Sequence, residues 1–323
     1  MHTLRPRQLL AHERQELLWC ETLRWLSRSS HQLLEIVTQP ARPAGRGKKI
    51  LPTPIAQLAA QLQLPCRETA NINEPSFVGH IAALNPNVLL VIAFGQKIGP
   101  EYLNMPSCRV INLHGSLLPQ YRGAAPINRA IMDGQRQTGL TVIELNQVWD
   151  GGDILGSLAT DILPMETAGE LHDRLAALGP QLVAEVLSQI EQGTDKTRPQ
   201  DESRATRAPK LQKSDAALDW TLPAETIRNR IHGLWPWPGA FCYWQPPGGE
   251  PPLRLTLARA RLAPQDQANP PASPGLLDQN LNIICGRDAL KLIEVKPENS
   301  RLMKFEDFVN GRRLQPGDRF LNG

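Results

Sequence analysis

The sequence predicts an α/β fold in which a mostly parallel sheet flanked by helices is followed by a smaller β-barrel domain. Residues 33–38 (LLEIVT) and 88–94 (VLLVIAF) are continuous apolar, β-rich runs. Such runs are typical of strands buried on both faces, as in parallel sheets. Between them lies a segment with helical spacing of apolar residues, and strand–helix alternation favours a parallel sheet.

The elements of the first part follow in order along the chain. Residues 54–64 (PIAQLAAQLQL) open with a proline, which is favoured at the first turn of a helix, and then repeat apolar residues at helical spacing. A long helix is expected further on, and Gly193 should end it. The predicted strands are 33–38, 88–94, 109–113 and 140–145, and the predicted helices are 54–64, 126–132 and 168–190.

A change of composition divides the chain. Residues 193–210 (GTDKTRPQDESRATRAPK) are polar and charged, which is typical of a linker. Beyond them, proline and glycine become frequent and short apolar runs such as 253–257 and 283–285 recur, which predicts a small β-barrel. We therefore expect domains at 1–192 and 211–323, joined by the linker 193–210.

Bulk properties exclude several classes of protein. The chain has 323 residues, of which 41% are hydrophobic and 21% charged, as expected for a globular protein of two domains. No apolar run approaches the roughly 18 to 20 residues that span a bilayer, and there is no signal-peptide core, so a cytoplasmic protein is expected. The five cysteines are scattered without a C-x-x-C pair, which predicts buried thiols and neither disulfides nor a metal site. The net charge of +3 is unevenly spread, with −2 over residues 1–202 and +5 over residues 203–323, which is compatible with a polyanionic partner.

Polar residues capable of acyl-transfer chemistry follow two of the predicted strands. Asn112 and His114 lie at the end of one strand, two positions apart and hence on one face, and Asp150 follows the next strand. Attack of an amine on a formyl carbon builds negative charge on oxygen, which Asn112 and a protonated His114 could stabilise by donated hydrogen bonds. Asp150 could stabilise the charged imidazole and accept the surplus proton of the amine. From spacing alone, a satisfied polar pair is the more common explanation of Asn112 and His114, and an Asp–Gly turn is the more common explanation of residues 150–153.

The longer stretch around these residues resembles a known family. NLHGSLLPQYRGAAPIN, which begins at Asn112, is followed by TGLTVIEL and DGGDIL, and together they resemble the signature of the folate-dependent formyltransferases. The resemblance implies a Rossmann-like catalytic domain, no metal, and 10-formyltetrahydrofolate as formyl donor. It also implies that Asn112, His114 and Asp150 are the catalytic set. The implied folate-site residues are Ser116, Leu117, Leu118, Pro119, Phe94 and Gly95.

A basic loop narrows the choice of acceptor substrate. Residues 38–49 (TQPARPAGRGKK) hold four cations among prolines and glycines, which by charge alone fits either a solvated surface loop or an RNA contact. The loop resembles the one by which methionyl-tRNA formyltransferases engage the acceptor end of tRNA. The resemblance implies that the enzyme formylates methionine on charged initiator tRNA for translation initiation, as a monomer. The implied tRNA-binding residues are Arg42, Arg46, Lys48 and Lys49.

The C-terminal part agrees with this resemblance. APKL around Lys210, LDW and LWPWPG resemble the opening of the family's OB-like, tRNA-binding C-terminal domain, and Lys210 is a further candidate contact to the tRNA backbone. Two alternatives stay open. An amino-sugar formyltransferase is disfavoured by the basic loop, and a tRNA-binding relative without activity is suggested by the N-terminus.

The N-terminus departs from the family. The family opens with an F-x-G-T-P strand and turn at the centre of its sheet, whereas residues 1 to about 20 have no such run, and their pattern favours a charged amphipathic helix. Losing a central strand should leave backbone groups on its neighbours unpaired, at about 1–3 kcal/mol for each buried group. One hypothesis is a frameshift or misassigned start, and a chain of this sequence is expected to be less stable or less active.

Overall fold

The strands near the N-terminus form two separate parallel pairs, as seen in a computed structural model that describes residues 17–44, 49–263 and 273–323. Strand β1 (Ile36–Thr38) pairs in parallel with β4 (Cys66–Glu68). Strand β5 (Val88–Ile92) pairs in parallel with β6 (Arg109–His114). Strands β1, β5 and β6 were expected in one mostly parallel sheet, but β1 belongs to a different sheet from β5 and β6, and β4 was not predicted.

Two further strands extend the second sheet in the opposite direction. The sheet has the order β5-β6-β8-β9, with β8 (Gln137–Glu144) and β9 (Ile154–Asp161). Strand β8 runs antiparallel to β6, with His114 opposite Thr141 and Ile111 opposite Glu144. The chain leaves β6 and re-enters the sheet at the same end, which fixes the antiparallel direction. The predicted α/β class is confirmed, with this strand as an antiparallel addition.

Helices cover these strands, and their ends follow local rules. Helix α2 begins at Pro54, and the Thr53 hydroxyl accepts a hydrogen bond from the Ala56 amide at 3.2 Å, as an N-cap should. Apolar residues of α1 (Leu17–Leu26), β1 and α2 (Pro54–Gln61) form one buried cluster, namely Cys20, Leu23, Ile36, Leu58 and Ala59. The helices are α1 (Leu17–Leu26), α2 (Pro54–Gln61), α3 (Pro75–Ala83), α4 (Pro100–Leu103), α5 (Pro126–Met132) and α6 (Ala168–Gln192).

The expected element positions hold with small shifts. Helix α6 was expected over 168–190 and ends at Gln192, where Gly193 takes a left-handed φ of 63°. The expected helix of the first 18 residues lies almost wholly outside the described residues, and α1 begins at Leu17. Two short ladders complete this part: the hairpin β2 (Arg42–Ala44) and β3 (Lys49–Leu51), and the parallel pair β7 (Arg122–Gly123) and β10 (Arg207–Ala208).

The segment predicted as a linker carries structure of its own. Arg207–Ala208 pair with β7, and the amide of Thr206 donates to the Pro119 carbonyl at 3.3 Å. A short 3₁₀ turn, Glu202–Arg204, precedes them. This segment is therefore hydrogen-bonded to the loop that follows β6.

The described residues divide into two compact units. The first comprises the described residues up to Pro126, with Thr138–Thr160 and His172–Pro209. The second comprises Ile127–Gln137, Asp161–Leu171 and Lys210–Gly323. The last change of unit, between Pro209 and Lys210, falls at the end of the predicted linker.

The second unit is built around an antiparallel sheet that nearly closes on itself. The order is β13-β14-β12-β11-β16, with β15 beside β14. Leu276 pairs with Arg319 and Leu277 with Ile283, which links the two edges of the sheet and confirms the predicted barrel. The elements are α7 (Ala224–Leu234), β11 (Phe241–Gln245), β12 (Leu253–Ala263), β13 (Ile283–Ile284), β14 (Ala289–Pro297), β15 (Met303–Lys304), α8 (Phe305–Arg312) and β16 (Arg319–Leu321).

Two other expectations can be compared with this fold. All five cysteines are free, as predicted, but Cys66 is exposed, so the expectation that every thiol is buried was wrong. Cys66 opens β4, a strand exposed throughout. None of the helices in the described part of the chain combines the length and apolar composition needed to cross a membrane.

Candidate active site

Strand β6 holds the first two polar residues of the predicted catalytic set. Asn112 and His114 are 8% and 6% exposed, and strand geometry puts both side chains on one face. Within the described residues, the Asn112 side-chain amide has no hydrogen-bond partner. A nearly buried amide without a partner is costly unless a ligand or water completes it, so Asn112 is available to a bound group.

The imidazole of His114 is fixed from one side by a backbone carbonyl. Its Nε2 lies 2.9 Å from the Tyr121 carbonyl oxygen. Because a carbonyl only accepts hydrogen bonds, Nε2 carries the hydrogen and donates it. Tyr121 itself has a left-handed φ of 61°, and its amide donates to the Thr206 hydroxyl at 2.8 Å. The ring is therefore oriented with Nδ1 directed away from this carbonyl.

Asp150 faces the remaining nitrogen of that ring. Its Oδ2 lies 3.7 Å from His114 Nδ1 and accepts a hydrogen bond from the Gly123 amide at 2.8 Å. A separation of 3.7 Å is too long for a hydrogen bond, but it puts the carboxylate in electrostatic contact with the ring whenever the ring is protonated. Asp150 is 8% exposed. The structure thus brings His114 and Asp150 together, as the sequence predicted.

The route by which Asp150 arrives differs from the expected one. Its position was predicted from the end of the preceding strand, but β8 is antiparallel and ends beside Ile111, three residues before His114 along β6. Residues 145–153 therefore fold back to reach His114. The turn is closed by the Glu144 amide, which donates to the Asp153 carbonyl at 2.9 Å. A side chain at Gly152 would collide with the Glu144 carbonyl, so this position of the D-G-G-D run requires glycine.

Residues that the sequence did not single out hold this returning loop. The Gln200 side-chain amide donates to the carbonyls of Asp150 and Gly152, at 2.8 and 2.7 Å. Its oxygen accepts from the Arg122 guanidinium at 2.8 Å, and Arg122 also donates to Glu202 at 2.7 Å. These hydrogen bonds from Arg122 lower the pKa of the Glu202 carboxyl below its ordinary value. Asp150 has a left-handed φ of 51°, so its backbone needs such support.

The predicted donor-site residues follow the carboxyl ends of two neighbouring parallel strands. Phe94 and Gly95 come after β5, and residues 116–119 come after β6, so both groups begin at one edge of the sheet. Ser116 is fully buried, and its hydroxyl donates to the Gln120 carbonyl at 2.7 Å. The Thr141 hydroxyl donates to the Ser116 carbonyl and accepts from the Leu118 amide, at 2.7 and 3.1 Å. Ser116 is thus part of the loop's framework.

Two of the predicted tRNA-binding residues, Arg42 and Lys210, are exposed. Arg42 lies in the hairpin β2–β3, and its guanidinium donates to the Gln39 side chain at 2.8 Å. Ile50 is 70% exposed on the other strand of this hairpin, which is unusual for so apolar a residue. Lys49 belongs to β3, Arg46 and Lys48 lie outside the described residues, and Lys210 is exposed in the second unit.

Comparison with known proteins identifies the class. The formyl transferase family matches residues 19–187, and the formyl transferase C-terminal domain family matches residues 210–313. This chain therefore belongs to the formyltransferase family and is a formyl-transferring enzyme. Over the parts of the chain that the structure describes, no group of three or more His, Cys, Asp and Glu residues is arranged to hold a metal ion.

Two relatives are similar to this chain over most of their length. A methionyl-tRNA formyltransferase of Halothermothrix orenii is 38% identical over 293 residues, which is 88% of this chain and 90% of that protein. One of Methylococcus capsulatus is 38% identical over 296 residues, or 91% and 93% of the two chains.

Among solved structures, the sugar 3N-formyl transferase WlaRD shares the fold with a TM-score of 0.61 at 14% identity, covering 88% of this chain and 95% of that one. An N-formyltransferase of Helicobacter canadensis gives 0.60 at 13%, covering 86% and 94%.

Proposed function

We propose that this enzyme transfers the formyl group of 10-formyltetrahydrofolate to the α-amino group of methionine on charged initiator tRNA. The observation that carries the chemistry is the buried set Asn112, His114 and Asp150. It combines an amide that has no partner in the described part of the chain, an imidazole of fixed orientation and a carboxylate 3.7 Å from that imidazole. The substrate is proposed from two relatives that are named methionyl-tRNA formyltransferases. Each matches this chain over about nine-tenths of both proteins.

In this proposal each side chain has one task. The amine nitrogen attacks the formyl carbon, and the carbonyl oxygen becomes an oxyanion. Asn112 donates a hydrogen bond to that oxygen from its amide, and His114 donates from Nδ1, because Nε2–H is already bound to the Tyr121 carbonyl. Asp150 stabilises the imidazolium and accepts the surplus proton of the amine, directly or through water. When the bond between the formyl carbon and N10 breaks, a proton returns to N10, so the reaction is balanced.

In this proposal the donor and the acceptor contact different segments of the first unit. The donor pterin lies beyond the carboxyl ends of β5 and β6, against Phe94, Gly95 and residues 116–119, where α/β sheets usually bind ligands. The acceptor stem contacts the hairpin β2–β3, whose exposed Arg42 and Ile50 offer a cation beside an apolar surface for an unstacked base. Lys210, which belongs to the second unit, is proposed to contact the phosphate backbone of the tRNA. That the enzyme acts as a monomer in the cytoplasm stays a prediction.

One assay tests the function. Purified full-length protein is incubated with 10-formyltetrahydrofolate and charged initiator tRNA, and formyl-methionine released from the tRNA is quantified. We expect turnover on charged tRNA and none on the uncharged form. An amino-sugar nucleotide is offered in a parallel reaction, and formylation of that compound without formylation of tRNA would replace our proposal by the sugar alternative. Binding of tRNA without turnover would instead indicate the inactive relative.

A further inference from the structure

The loop that orients His114 is itself held by residues 206–208, which belong to the segment predicted as a linker. Both parts lie within the first unit, and β10 of the segment pairs in parallel with β7 of the loop. The Ala125 amide donates to the Ala208 carbonyl at 3.2 Å. A Cβ at Gly123 would lie 2.5 Å from that same carbonyl oxygen, so the close approach of the segment requires glycine there.

Thr206 accepts hydrogen bonds from the two amides on either side of Tyr121. Its hydroxyl accepts from the Tyr121 amide at 2.8 Å, and its carbonyl accepts from the Arg122 amide at 2.9 Å. The Arg122 amide and the Tyr121 carbonyl belong to one trans peptide unit, so they point in opposite directions. On the far side, that carbonyl accepts from His114 Nε2 at 2.9 Å. The peptide unit that orients the imidazole is therefore held from behind by Thr206.

The backbone of Tyr121 needs this support. Its φ of 61° is left-handed, which is unfavourable for a residue with a large side chain. Tyr121 is buried, so its amide needs a hydrogen-bond acceptor from the protein. Without the Thr206 hydroxyl, the chain would relax toward a more favourable φ, and that rotation would move the Tyr121 carbonyl away from His114 Nε2.

We propose that Thr206 is a positioning residue of the active site, which acts through Tyr121 on the orientation of His114. In the reaction proposed above, His114 donates from Nδ1 to the oxyanion while its Nε2–H is bound to the Tyr121 carbonyl. A displacement of about 1 Å in such a site is enough to lower the rate substantially. The kinetic consequence of this inference rests on the proposed function, whereas the contact between Thr206 and Tyr121 is measurable without substrate.

The role of Thr206 complements that of Gln200. Gln200 donates to the Asp150 carbonyl, and so it acts on the carboxylate of the proposed set. Thr206 acts on the imidazole of the same set. One segment, predicted from its composition to be a linker, therefore positions both His114 and Asp150.

Substitutions that separate the Thr206 hydroxyl from its shape test the inference. Thr206→Val removes the hydroxyl, and we expect kcat for charged tRNA to fall about tenfold with KM unchanged. Thr206→Ser keeps the hydroxyl and should restore kcat to within about twofold of the unmodified enzyme. Thr197→Val makes the same chemical change at an exposed position of the same segment and should alter neither constant. If the valine variant does not fold, Thr206→Ala, which admits water to the Tyr121 amide, replaces it.

A double mutant separates action through His114 from a general loss of structure. If Thr206 acts through the imidazole, Thr206→Val should not lower the residual kcat of His114→Ala any further. A second loss of about tenfold in that background would overturn the inference, because the two effects would then be independent.

A measurement without substrate decides the inference even if the enzyme does not formylate tRNA. In protein made with isotopically labelled histidine, the NMR signal of the Nε2 hydrogen of His114 is identified by its absence from His114→Ala. The hydrogen bond to the Tyr121 carbonyl protects this hydrogen, so Thr206→Val should make it exchange with water about tenfold faster, and Thr206→Ser should not. An unchanged exchange rate in Thr206→Val, or equal kcat values for the valine and serine variants, would overturn the inference.

Discussion

The loop that carries Asp150 and the hairpin that carries Arg42 are both predicted to contact substrate, but they are built in opposite ways. Asp150 is buried, its carboxylate accepts from the Gly123 amide, and Gln200 binds the loop's carbonyls twice. Arg42 is exposed, and among the described residues its guanidinium donates to Gln39 alone. The first region is fixed before substrate arrives, and the second leaves its cation free to reorient.

This difference follows from what each region is proposed to do. Stabilising a charge that exists only in the transition state requires donors already in place, since reorganisation would consume the gain. Recognition of a large, flexible acceptor stem tolerates side chains that become ordered on binding, at the cost of some affinity. Substitutions in the loop should therefore change kcat, and those in the hairpin should change kcat/KM for tRNA alone.

The largest effect is expected at His114. His114→Ala removes the oxyanion donor and should lower kcat by about 10² or more. The measurement is single-turnover formylation of charged tRNA at saturating donor. The stability of the variant is checked by thermal unfolding, because the ring is buried. A kcat near that of the unmodified enzyme would refute the catalytic role.

A smaller loss of kcat is expected at Gln200. Gln200→Ala removes two hydrogen bonds from the Asp150 loop and one acceptor from Arg122, so Asp150 should occupy its position beside His114 less often. We expect a drop in kcat of about tenfold, equivalent to about 1.4 kcal/mol, with KM for tRNA unchanged.

Gln192→Ala, at an exposed position on α6, is the matched control for that change and should leave both constants unaltered. A merely structural role for Gln200 would lower Tm without separating kcat from KM. That result would remove the distinction between a fixed loop and a free hairpin.

A substitution in the hairpin should instead lower kcat/KM for charged tRNA. Arg42→Ala removes a charge-assisted contact worth about 1.5 kcal/mol or more, so kcat/KM for charged tRNA should fall about tenfold while the Kd for the donor stays the same. Arg28→Ala, also at an exposed arginine of the first unit, serves as the control. If both variants lost affinity equally, the contact would be a general effect of positive charge.

The smallest effect on turnover is expected at His232, a buried histidine of the second unit. Burial, together with the charges of Arg228 and Arg259, lowers its pKa to about 4, and its Nε2 accepts from the Ala260 amide at 3.1 Å. Since the unfolded chain binds a proton near pH 6.5, the stabilisation is complete above that pH and is lost as pH falls toward 4. The loss amounts to about 3 kcal/mol.

Urea unfolding between pH 7.5 and 4 measures this loss. His232→Gln keeps an acceptor without a titratable proton, so its unfolding free energy should vary less with pH by that amount, and its turnover at neutral pH should be normal. A variant with the same pH dependence as the unmodified protein would contradict the assignment. Compared with His114→Ala, the His232→Gln variant tests whether a histidine needs an adjacent acid, and not burial alone, to contribute to turnover.

The local sequence pattern was enough to predict most helices and strands of the first unit. The apolar run 88–94 predicted β5, Pro54 predicted the start of α2, and Gly193 predicted the end of α6. The direction of β8 was not predictable, because an amphipathic or buried strand has the same sequence pattern whether its neighbour runs parallel or antiparallel. Residues 145–153 were expected to begin at the strand end near His114 and in fact return to it.

By itself, the sequence determined which side chains can do chemistry: Asn112 and His114 are two positions apart on one strand, and strand periodicity alone puts them on one face. Only the tertiary structure decided that Asp150 meets this pair, that Gln200 holds Asp150, and that Thr206 holds the peptide unit that orients His114. Periodicity reports the environment of a residue's own side chain, whereas hydrogen-bond partners distant in sequence depend on which segments meet in space.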